Sequence, residues 1–382
     1  MKPLREVALL FLKLGTTAFG GPAAHIAMME QEVVVRRKWV SREYFLDLLG
    51  ATNLIPGPNS TEMAIHIGYV RAGWRGVLVA GICFIAPAVL ITLLLAHLYV
   101  TYGTTPQLEP FIYGIRAAII AVILGAVIRL GKPLLDKRFM LVTGLAVIAL
   151  NLLHVDEILL LLCAGILGIL WENRRRLSGT VPMIFLFGGV LAVPLVASSG
   201  VSAPPGAATL TGLGLFFLKI GSILYGSGYV LVAFLQGGLV ESRHWLTQTQ
   251  LLDAIAIGQF TPGPVLSTAT FIGYVVLGIP GAAIATTGIF FPSFVFVLLT
   301  SPFVPRLRRS AVARGFLEGV SAASLGLMLG VCLTLGSTTL TSIGAWTIFL
   351  LAVIVLSQWS VNAAWIVGGS SVLGWLFSIS GM

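Results

Sequence analysis

A Pro-Gly-Pro triplet interrupts two strongly apolar stretches of this chain, once at residues 56–58 and again at residues 262–264. Proline lacks the amide donor that a helix needs and restricts the residue before it, so each triplet must break the helix around it. Pro58 and Pro264 are well placed to begin a new helix, because proline already has the φ angle of a first helical residue. The amides that follow have no acceptor within that helix, so each break is a candidate anion site.

The sequence around these breaks is that of a membrane protein. Of its 382 residues 57% are hydrophobic and only 10% are charged, whereas about a quarter of the residues of a soluble domain are charged. The mean hydropathy is +0.99. Apolar runs at 76–95, 111–128 and 345–356 lack the alternation of a transmembrane strand. The predicted fold class is therefore all-α, a polytopic transmembrane helical bundle.

Other features of the sequence narrow the function class. The three cysteines, Cys83, Cys163 and Cys332, lie singly in apolar runs, so neither a disulfide framework nor a metal site is predicted, and no cofactor is implied. The net charge of +9 comes mostly from short Lys/Arg clusters between apolar spans, which favours cytoplasmic loops over a nucleic-acid surface. The basic N-terminal residues precede no small-residue cleavage site and are interpreted as mature sequence. Without an HExxH motif, a GxSxG motif or a cysteine–histidine cluster, the chain is predicted not to be an enzyme.

The chain contains two copies of one unit. Phe11-Leu12-Lys13 returns 206 residues later as Phe217-Leu218-Lys219, and the same offset of 206 relates the two Pro-Gly-Pro triplets. After a one-residue deletion the offset becomes 205 and relates Ile67-Gly68-Tyr69 to Ile272-Gly273-Tyr274. We therefore predict a first repeat over 1–177, a connecting transmembrane span and loop over 178–210, and a second repeat over 211–382.

Loop charges predict that the two repeats are inverted in the membrane. In the first repeat the loops near Arg36 and Arg71 are basic, and 102–110 has no Lys or Arg. In the second repeat the equivalent of 102–110 carries Arg306, Arg308, Arg309 and Arg314, whereas 274–281 has no basic residue. Because Lys and Arg favour the cytoplasmic side, the repeats should have opposite topology, as in many secondary transporters. The predicted threading has broken segments at 6–35 and 44–70, then crossings near 76–99, 111–129, 139–153, 157–171 and 182–197.

The motifs resemble those of the chromate ion transporter family in its long, two-domain form, over nearly the whole chain. They are Phe19-Gly20-Gly21-Pro22, Pro-Gly-Pro followed by Ile-Gly-Tyr and two spaced glycines in each half, Phe84-Ile85-Ala86-Pro87, and Phe290-Phe291-Pro292-Ser293. The second repeat departs from the first motif and reads Tyr225-Gly226-Ser227-Gly228. The resemblance implies an efflux carrier for chromate in the plasma membrane, with sulfate as the nearest look-alike. The implied partners are an inorganic oxyanion and the lipid bilayer, and a homodimer is left open.

A tetrahedral dianion is expected to bind where the broken helices of the two repeats converge. The candidate substrate-binding residues are Lys13, Gly20, Gly21, Asn53, Pro56, Gly57, Pro58, Asn59, Ser60, Thr61, Arg116, Lys219, Gln259, Thr261, Gly263, Pro264, Ser267 and Thr268. Chromate and sulfate share charge and shape, so the sequence does not discriminate between them. A channel with the same broken helices is a further alternative.

Several charged candidates have a second interpretation. Lys13 and Lys219 occupy equivalent places and either face the substrate or pair with a carboxylate. Arg116 is either an oxyanion donor or an interfacial anchor. Asp253, like its counterpart Asp47, more readily caps a helix or pairs with a cation than takes part in transport.

Glu62 and His66 are candidates for proton coupling. They are four residues apart, so they lie on one helix face directly after the first break. A Glu–His pair at membrane depth can take up and release protons, although a structural hydrogen bond is the alternative.

Overall fold

A computed structural model describes residues 2–53, 55–103, 105, 108–135, 137–153, 155–173, 207–225, 228–301, 311–359 and 361–379. In the first repeat the helices are α1 (Lys2–Thr17), α2 (Gly21–Glu30, continued by a π-helical turn Gln31–Arg36), α3 (Arg42–Thr52), α4 (Asn59–Tyr102), α5 (Glu109–Leu135), α6 (Arg138–Leu152) and α7 (Glu157–Asn173). In the second they are α8 (Leu210–Ile223), α9 (Leu231–Leu235, between a 3₁₀ turn Gly228–Val230 and a π turn Gln236–Glu241), α10 (Gln248–Phe260), α11 (Thr268–Thr300, after a 3₁₀ turn Val265–Ser267), α12 (Ala311–Thr339), α13 (Ile343–Gln358) and α14 (Ala363–Ile379).

The prediction of an all-α membrane bundle is confirmed, because the described residues form helices and contain no strand. Within the described residues, four helices are long and apolar enough to cross a membrane: Asn59–Tyr102, Glu109–Lys132, Val265–Thr300 and Val312–Thr339. Their outer faces carry exposed leucines such as Leu90 and Leu94, which are 66% and 58% exposed. A soluble helix would bury such a stripe, so these faces contact lipid.

The helices α4 and α11 each contain a sharp reversal. Gly73 and Gly278, at equivalent positions, have φ values of 63° and 64° and the same ψ of −153°. A Cβ atom at Gly68 would overlap the carbonyl oxygen of Gly76, although residues eight apart in a straight helix are about 12 Å apart. Each helix therefore folds back into two antiparallel arms. The arm after Gly73 corresponds to the predicted crossing at 76–99.

The shorter predicted crossings at 139–153 and 157–171 correspond to α6 and α7. The predicted span at 182–197 and the charged loop residues Arg306, Arg308 and Arg309 lie outside the described residues.

The two repeats share one bundle. Helix α5 of the first repeat packs on α14 of the second, and α12 of the second packs on α7 of the first. Glycines permit backbone contact at both places, since a Cβ atom at Gly114 would overlap the Ser370 carbonyl and one at Gly319 would overlap the Ala164 carbonyl. The repeats of the sequence are therefore interleaved in space. The larger hydrophobic core draws residues from both repeats, whereas a smaller one, from Val7 to Phe84, belongs to the first repeat alone.

Contacts between the halves agree with inverted topology, which stays a prediction. Lys137 forms an ion pair with Glu318, and both residues belong to ends that the predicted threading places inside. Tyr113 contacts Ser342, and both of these belong to ends predicted outside.

Candidate functional site

The two Pro-Gly-Pro turns are buried, and each lies against the end of a helix from the opposite repeat. The Gly57 amide donates to the Leu224 carbonyl at 2.6 Å, directly after α8. The Gly263 amide donates to the Ala18 carbonyl at 2.9 Å, directly after α1. Gly57 is equivalent to Gly263, and Ala18 to Leu224, so the two hydrogen bonds form a reciprocal pair. Both glycines have positive φ angles, 145° and 89°.

The sequence of each turn starts the helix that follows it. Pro58 has φ −78°, and its carbonyl accepts from the amides of Thr61 and Glu62 at 2.8 and 3.0 Å. In the second repeat the Pro264 carbonyl accepts from the Ser267 amide at 3.0 Å. Helix α4 and the 3₁₀ turn leading into α11 therefore each begin directly after a buried turn. A helix N-terminus carries partial positive charge and amides without an intrahelical acceptor.

A buried carboxyl lies next to the first turn. Glu62 is 0% exposed, and a Cβ atom at Gly57 would overlap its Oε1 and lie 2.6 Å from the Ser293 hydroxyl. Tyr225 of the second repeat is close enough to interact electrostatically with Glu62. Among the described residues, neither Glu62 oxygen nor the Ser293 hydroxyl has a hydrogen-bond partner. This place holds polar groups that can still bind a ligand.

The second turn is surrounded by neutral hydroxyls instead. Thr92 donates to the Ser267 hydroxyl at 3.2 Å and approaches the Thr261 hydroxyl at 3.5 Å. A Cβ atom at Gly263 would meet the Ala88 methyl at 3.0 Å, and Ala88 is the counterpart of Ser293. The two turns share a backbone arrangement, but within the described part of the chain a carboxyl lies beside the first turn and not beside the second.

Other predicted site residues have local roles in the structure. Asn59 donates to Asn53 at 2.7 Å, and Thr268 donates to the Val265 carbonyl at 2.8 Å. Gln259 accepts from Tyr229 at 3.4 Å. Ser60 and Thr61 are buried at the start of α4, and Pro56 and Pro264 flank the central glycines of the turns. Gly20 and Gly21, with φ angles of 107° and 77°, stand at the start of α2.

Lys13 does not face the turns. Its ammonium pairs with Glu32 at 2.9 Å, and the Lys13 side chain is 53% exposed. The same carboxylate, 8% exposed, also accepts from Arg36 at 2.9 Å and Arg37 at 3.3 Å. Among the described residues Lys219 has no such ion pair, because Gly238 replaces Glu32; it lies instead within electrostatic range of Glu157.

Arg116 belongs to a cluster that joins the repeats, here called the Arg116 cluster: Arg116, Asp253, Glu109 and Tyr99. Its guanidinium binds Asp253 through two hydrogen bonds of 2.9 and 3.0 Å and Glu109 through one of 3.0 Å. Tyr99 donates to Asp253 at 2.8 Å. Asp253 thus pairs with a cation, as its sequence position suggested, and that cation is Arg116.

Glu62 and His66 are both buried on α4, but no direct hydrogen bond joins them in the described part of the chain. His66 Nδ1 contacts the Ser301 hydroxyl at 3.1 Å instead. The two candidates for proton coupling are therefore separate groups rather than one hydrogen-bonded pair.

Sequence reasoning missed three residues near the turns. The buried ring of His25 contacts the Ala18 carbonyl at 3.1 Å, the same carbonyl that accepts from Gly263. Ser293 and Tyr225 approach Glu62 from the second repeat. A sequence signal existed for Ser293, which follows the in-helix Pro292 where the first repeat has Ala88 after Pro87. No comparable signal marked His25, whose contact with Ala18 lies within the first repeat, or Tyr225, which approaches Glu62 from the other repeat.

The described residues contain no group of three or more His, Cys, Asp or Glu side chains that could hold a metal ion.

The chain is therefore a multi-pass membrane protein whose helices break inside an apolar bundle. Such broken helices are typical of membrane transporters. The family model for the chromate transporter matches residues 5–169 and again residues 211–375. The chain therefore belongs to the chromate transporter family.

Similar curated proteins cover almost the whole chain. A chromate transport protein of Cupriavidus metallidurans is 32% identical over 374 residues, covering 97% of this chain and 92% of the relative. A probable chromate transport protein of Synechococcus elongatus is 31% identical, covering 94% and 91%. A chromate transport protein of Pseudomonas aeruginosa is 30% identical, covering 96% and 90%. No solved structure matches the chain.

Proposed function

We propose that this protein is a secondary transporter that exports chromate across the plasma membrane and has no catalytic activity. The observation that carries the proposal is the reciprocal pair of hydrogen bonds between Gly57 and Leu224 and between Gly263 and Ala18. Each of these bonds ties a buried turn, after which a helix of one repeat begins, to the end of a helix of the other repeat. The names of the relatives supply the substrate, and the membrane potential supplies a driving force for export: about 2.3 kcal/mol per charge per 100 mV, hence twice that for a dianion leaving a cell that is negative inside.

The anion would be held mainly by amides and hydroxyls. Lys13 and Arg116 are already paired with carboxylates, so they leave little positive charge for the substrate. Thr61 and Ser293 are buried, and neither hydroxyl has a partner among the described residues. An oxyanion bound beside Thr61 and Ser293 would accept a hydrogen bond from each hydroxyl. These bonds would offset part of the free energy that removing the anion from water costs.

Flux into sealed vesicles tests the proposal. Purified protein in liposomes should show saturable chromate flux that responds to an imposed potential, and preloaded unlabelled chromate should accelerate uptake of the labelled ion. Ser293→Ala and Thr61→Val should each weaken apparent chromate affinity roughly tenfold, about the value of one hydrogen bond to a charged group. Thr287→Val is the matched control, because Thr287 is exposed on α11 and bonds only the Ala283 carbonyl. Flux without saturation or counterflow would instead indicate a channel.

Sulfate or another oxyanion is the alternative substrate, because size and charge hardly differ. Competition by sulfate in the same assay distinguishes the two cases. Equal or tighter binding of sulfate would reject chromate as the preferred substrate.

Glu62 is proposed to carry a proton whenever the anion is bound. A charged carboxylate beside a dianion in a buried place would repel it strongly, whereas a protonated carboxyl can donate a hydrogen bond to it. Glu62→Gln imitates the protonated form, so it should keep chromate binding and potential-driven flux while losing flux driven by a pH gradient alone. His66→Ala should change the pH optimum. A Glu62→Gln protein that still responds to a pH gradient would reject the coupling role of Glu62.

A further inference from the structure

A cavity of about 370 Å³ lies away from the Pro-Gly-Pro turns, between α6, α7, α12 and the π turn of the second repeat. Its polar lining consists of Asn151, Glu157, Gln236, Glu241, Thr334 and Ser337. Every one of these side chains offers an oxygen. Oxygen donors of this kind suit hard cations.

Gln236 has a buried oxygen that lacks a donor. Its side-chain amide nitrogen donates to Glu241 at 3.0 Å, which fixes the orientation of the amide group. The residue is only 4% exposed, and among the described residues its Oε1 has no hydrogen-bond partner. A buried amide oxygen without a donor is costly, and a bound cation would satisfy it.

Glu157 places a carboxyl group in the cavity wall. Its carboxylate packs against Gly237, where any side chain would overlap it. The charged groups near Glu157 are Asp156 and Glu241, which repel its charge, and Lys219, which attracts it. Asp156 is occupied in capping α7, since it accepts from the amides of Ile158 and Leu159 at 3.0 Å each. In the described part of the chain no hydrogen bond or ion pair joins Lys219 to Glu157.

The equivalent place in the other half of the molecule lacks this chemistry. Offsets of 205 and 206 relate Glu157 to Asn362, Glu241 to Val35 and Thr334 to Arg129. Two carboxyls and a hydroxyl are thus replaced by an amide, an apolar side chain and a cation, while Glu30 takes the place of Gln236 and its amide oxygen. The acidic cavity is therefore not a by-product of the shared repeat fold.

We propose that this cavity binds a monovalent cation of the sodium type, held by the carboxylates of Glu157 and Glu241 and the amide oxygens of Gln236 and Asn151. Ligand charge sets the preferred valence of a bound cation, and the charge of Glu157 is partly offset by Lys219, which favours a single positive charge over two. If the protein exports an oxyanion as proposed above, a cation entering at this cavity would be the ion exchanged for it, and this consequence alone rests on the proposed function.

Direct binding tests the site without any oxyanion present. Purified full-length protein is titrated with NaCl against choline chloride at constant ionic strength, while radiolabelled sodium binding and the unfolding temperature are measured. We expect saturable sodium binding with a matching rise in unfolding temperature. Glu157→Gln should weaken sodium binding at least about tenfold, and Gln236→Leu should weaken it as well. The control is Glu43→Gln, which removes an exposed carboxylate at the start of α3 and should change nothing.

Other results would overturn the inference. If sodium and choline raised the unfolding temperature equally, the rise would be an effect of ionic strength and not of a bound cation. A response to pH without a response to sodium would make Glu157 a proton site, and tighter binding of calcium would make the site divalent. A monodisperse Glu157→Gln protein with unchanged sodium affinity would also reject it. Chromate flux in vesicles is measured separately, so loss of the proposed function and loss of the cation site give different results.

Discussion

Removing the Arg116 guanidinium while Asp253 remains tests whether the Arg116 cluster joins the two repeats. Asp253 is 4% exposed and would lose two of its three hydrogen bonds in Arg116→Ala, keeping only that from Tyr99. An unpaired buried charge of this kind costs about 3–5 kcal/mol of stability. Asp253→Ala should cost less, about 1–3 kcal/mol, because Arg116 is 18% exposed and keeps Glu109.

The double variant gives the sharpest test. Arg116→Ala with Asp253→Ala removes both charges, so it should be destabilised by clearly less than the sum of the single variants, with a coupling of roughly 2 kcal/mol. Free energies of unfolding measured by denaturant titration in mixed micelles provide all three values.

Two outcomes would refute this reasoning. Additive effects, or a smaller loss in Arg116→Ala than in Asp253→Ala, would mean that the pair does not depend on burial. Chromate binding by the double variant tests whether Arg116 instead binds the oxyanion. If the folded double variant no longer binds chromate, Arg116 is an oxyanion donor rather than a structural link between repeats.

Three further predictions concern the turns, the lysine and the topology. Gly57→Ala should abolish transport, because a Cβ atom there overlaps Glu62 at a φ of 145°, whereas Gly368→Ala, in open space on α14, should leave flux unchanged. Glu32→Ala should lower the unfolding temperature more than Lys13→Ala, since it leaves three cations facing one another; equal losses would contradict this. Single cysteines at Leu108 and Arg314, in protein without native cysteines, should react with an impermeant thiol reagent from opposite sides, and labelling from one side would reject the inversion.

The sequence was sufficient for features that depend on local chemistry. Proline and glycine at 56–58 and 262–264 break a helix wherever they occur, so the breaks, and the helices that begin after them, followed from covalent geometry. The repeat was visible because equal offsets relate residues of equal type. Hydropathy predicted the all-α membrane bundle, since a backbone in lipid must satisfy its own hydrogen bonds.

Charge partners could not be predicted in the same way. Lys13 and Arg116 read as candidates for an anion because isolated cations in apolar sequence are costly. Their partners, Glu32 and Asp253, are 19 and 137 residues away along the chain. Only the packing of distant helices brings these groups together, so no local sequence pattern predicts the ion pairs.

The sequence by itself determined the class of the protein, its internal duplication and the two places where its helices break. These properties depend only on the types of single residues and on their spacing. The tertiary structure decided that the repeats interleave, that each turn binds the helix end of the other repeat, and that Glu62 is buried beside Ser293 without a partner among the described residues. These depend on contacts between residues far apart along the chain, such as Gly114 and Ser370, which are 256 positions apart. Such contacts form only when the whole bundle excludes lipid and water from its centre.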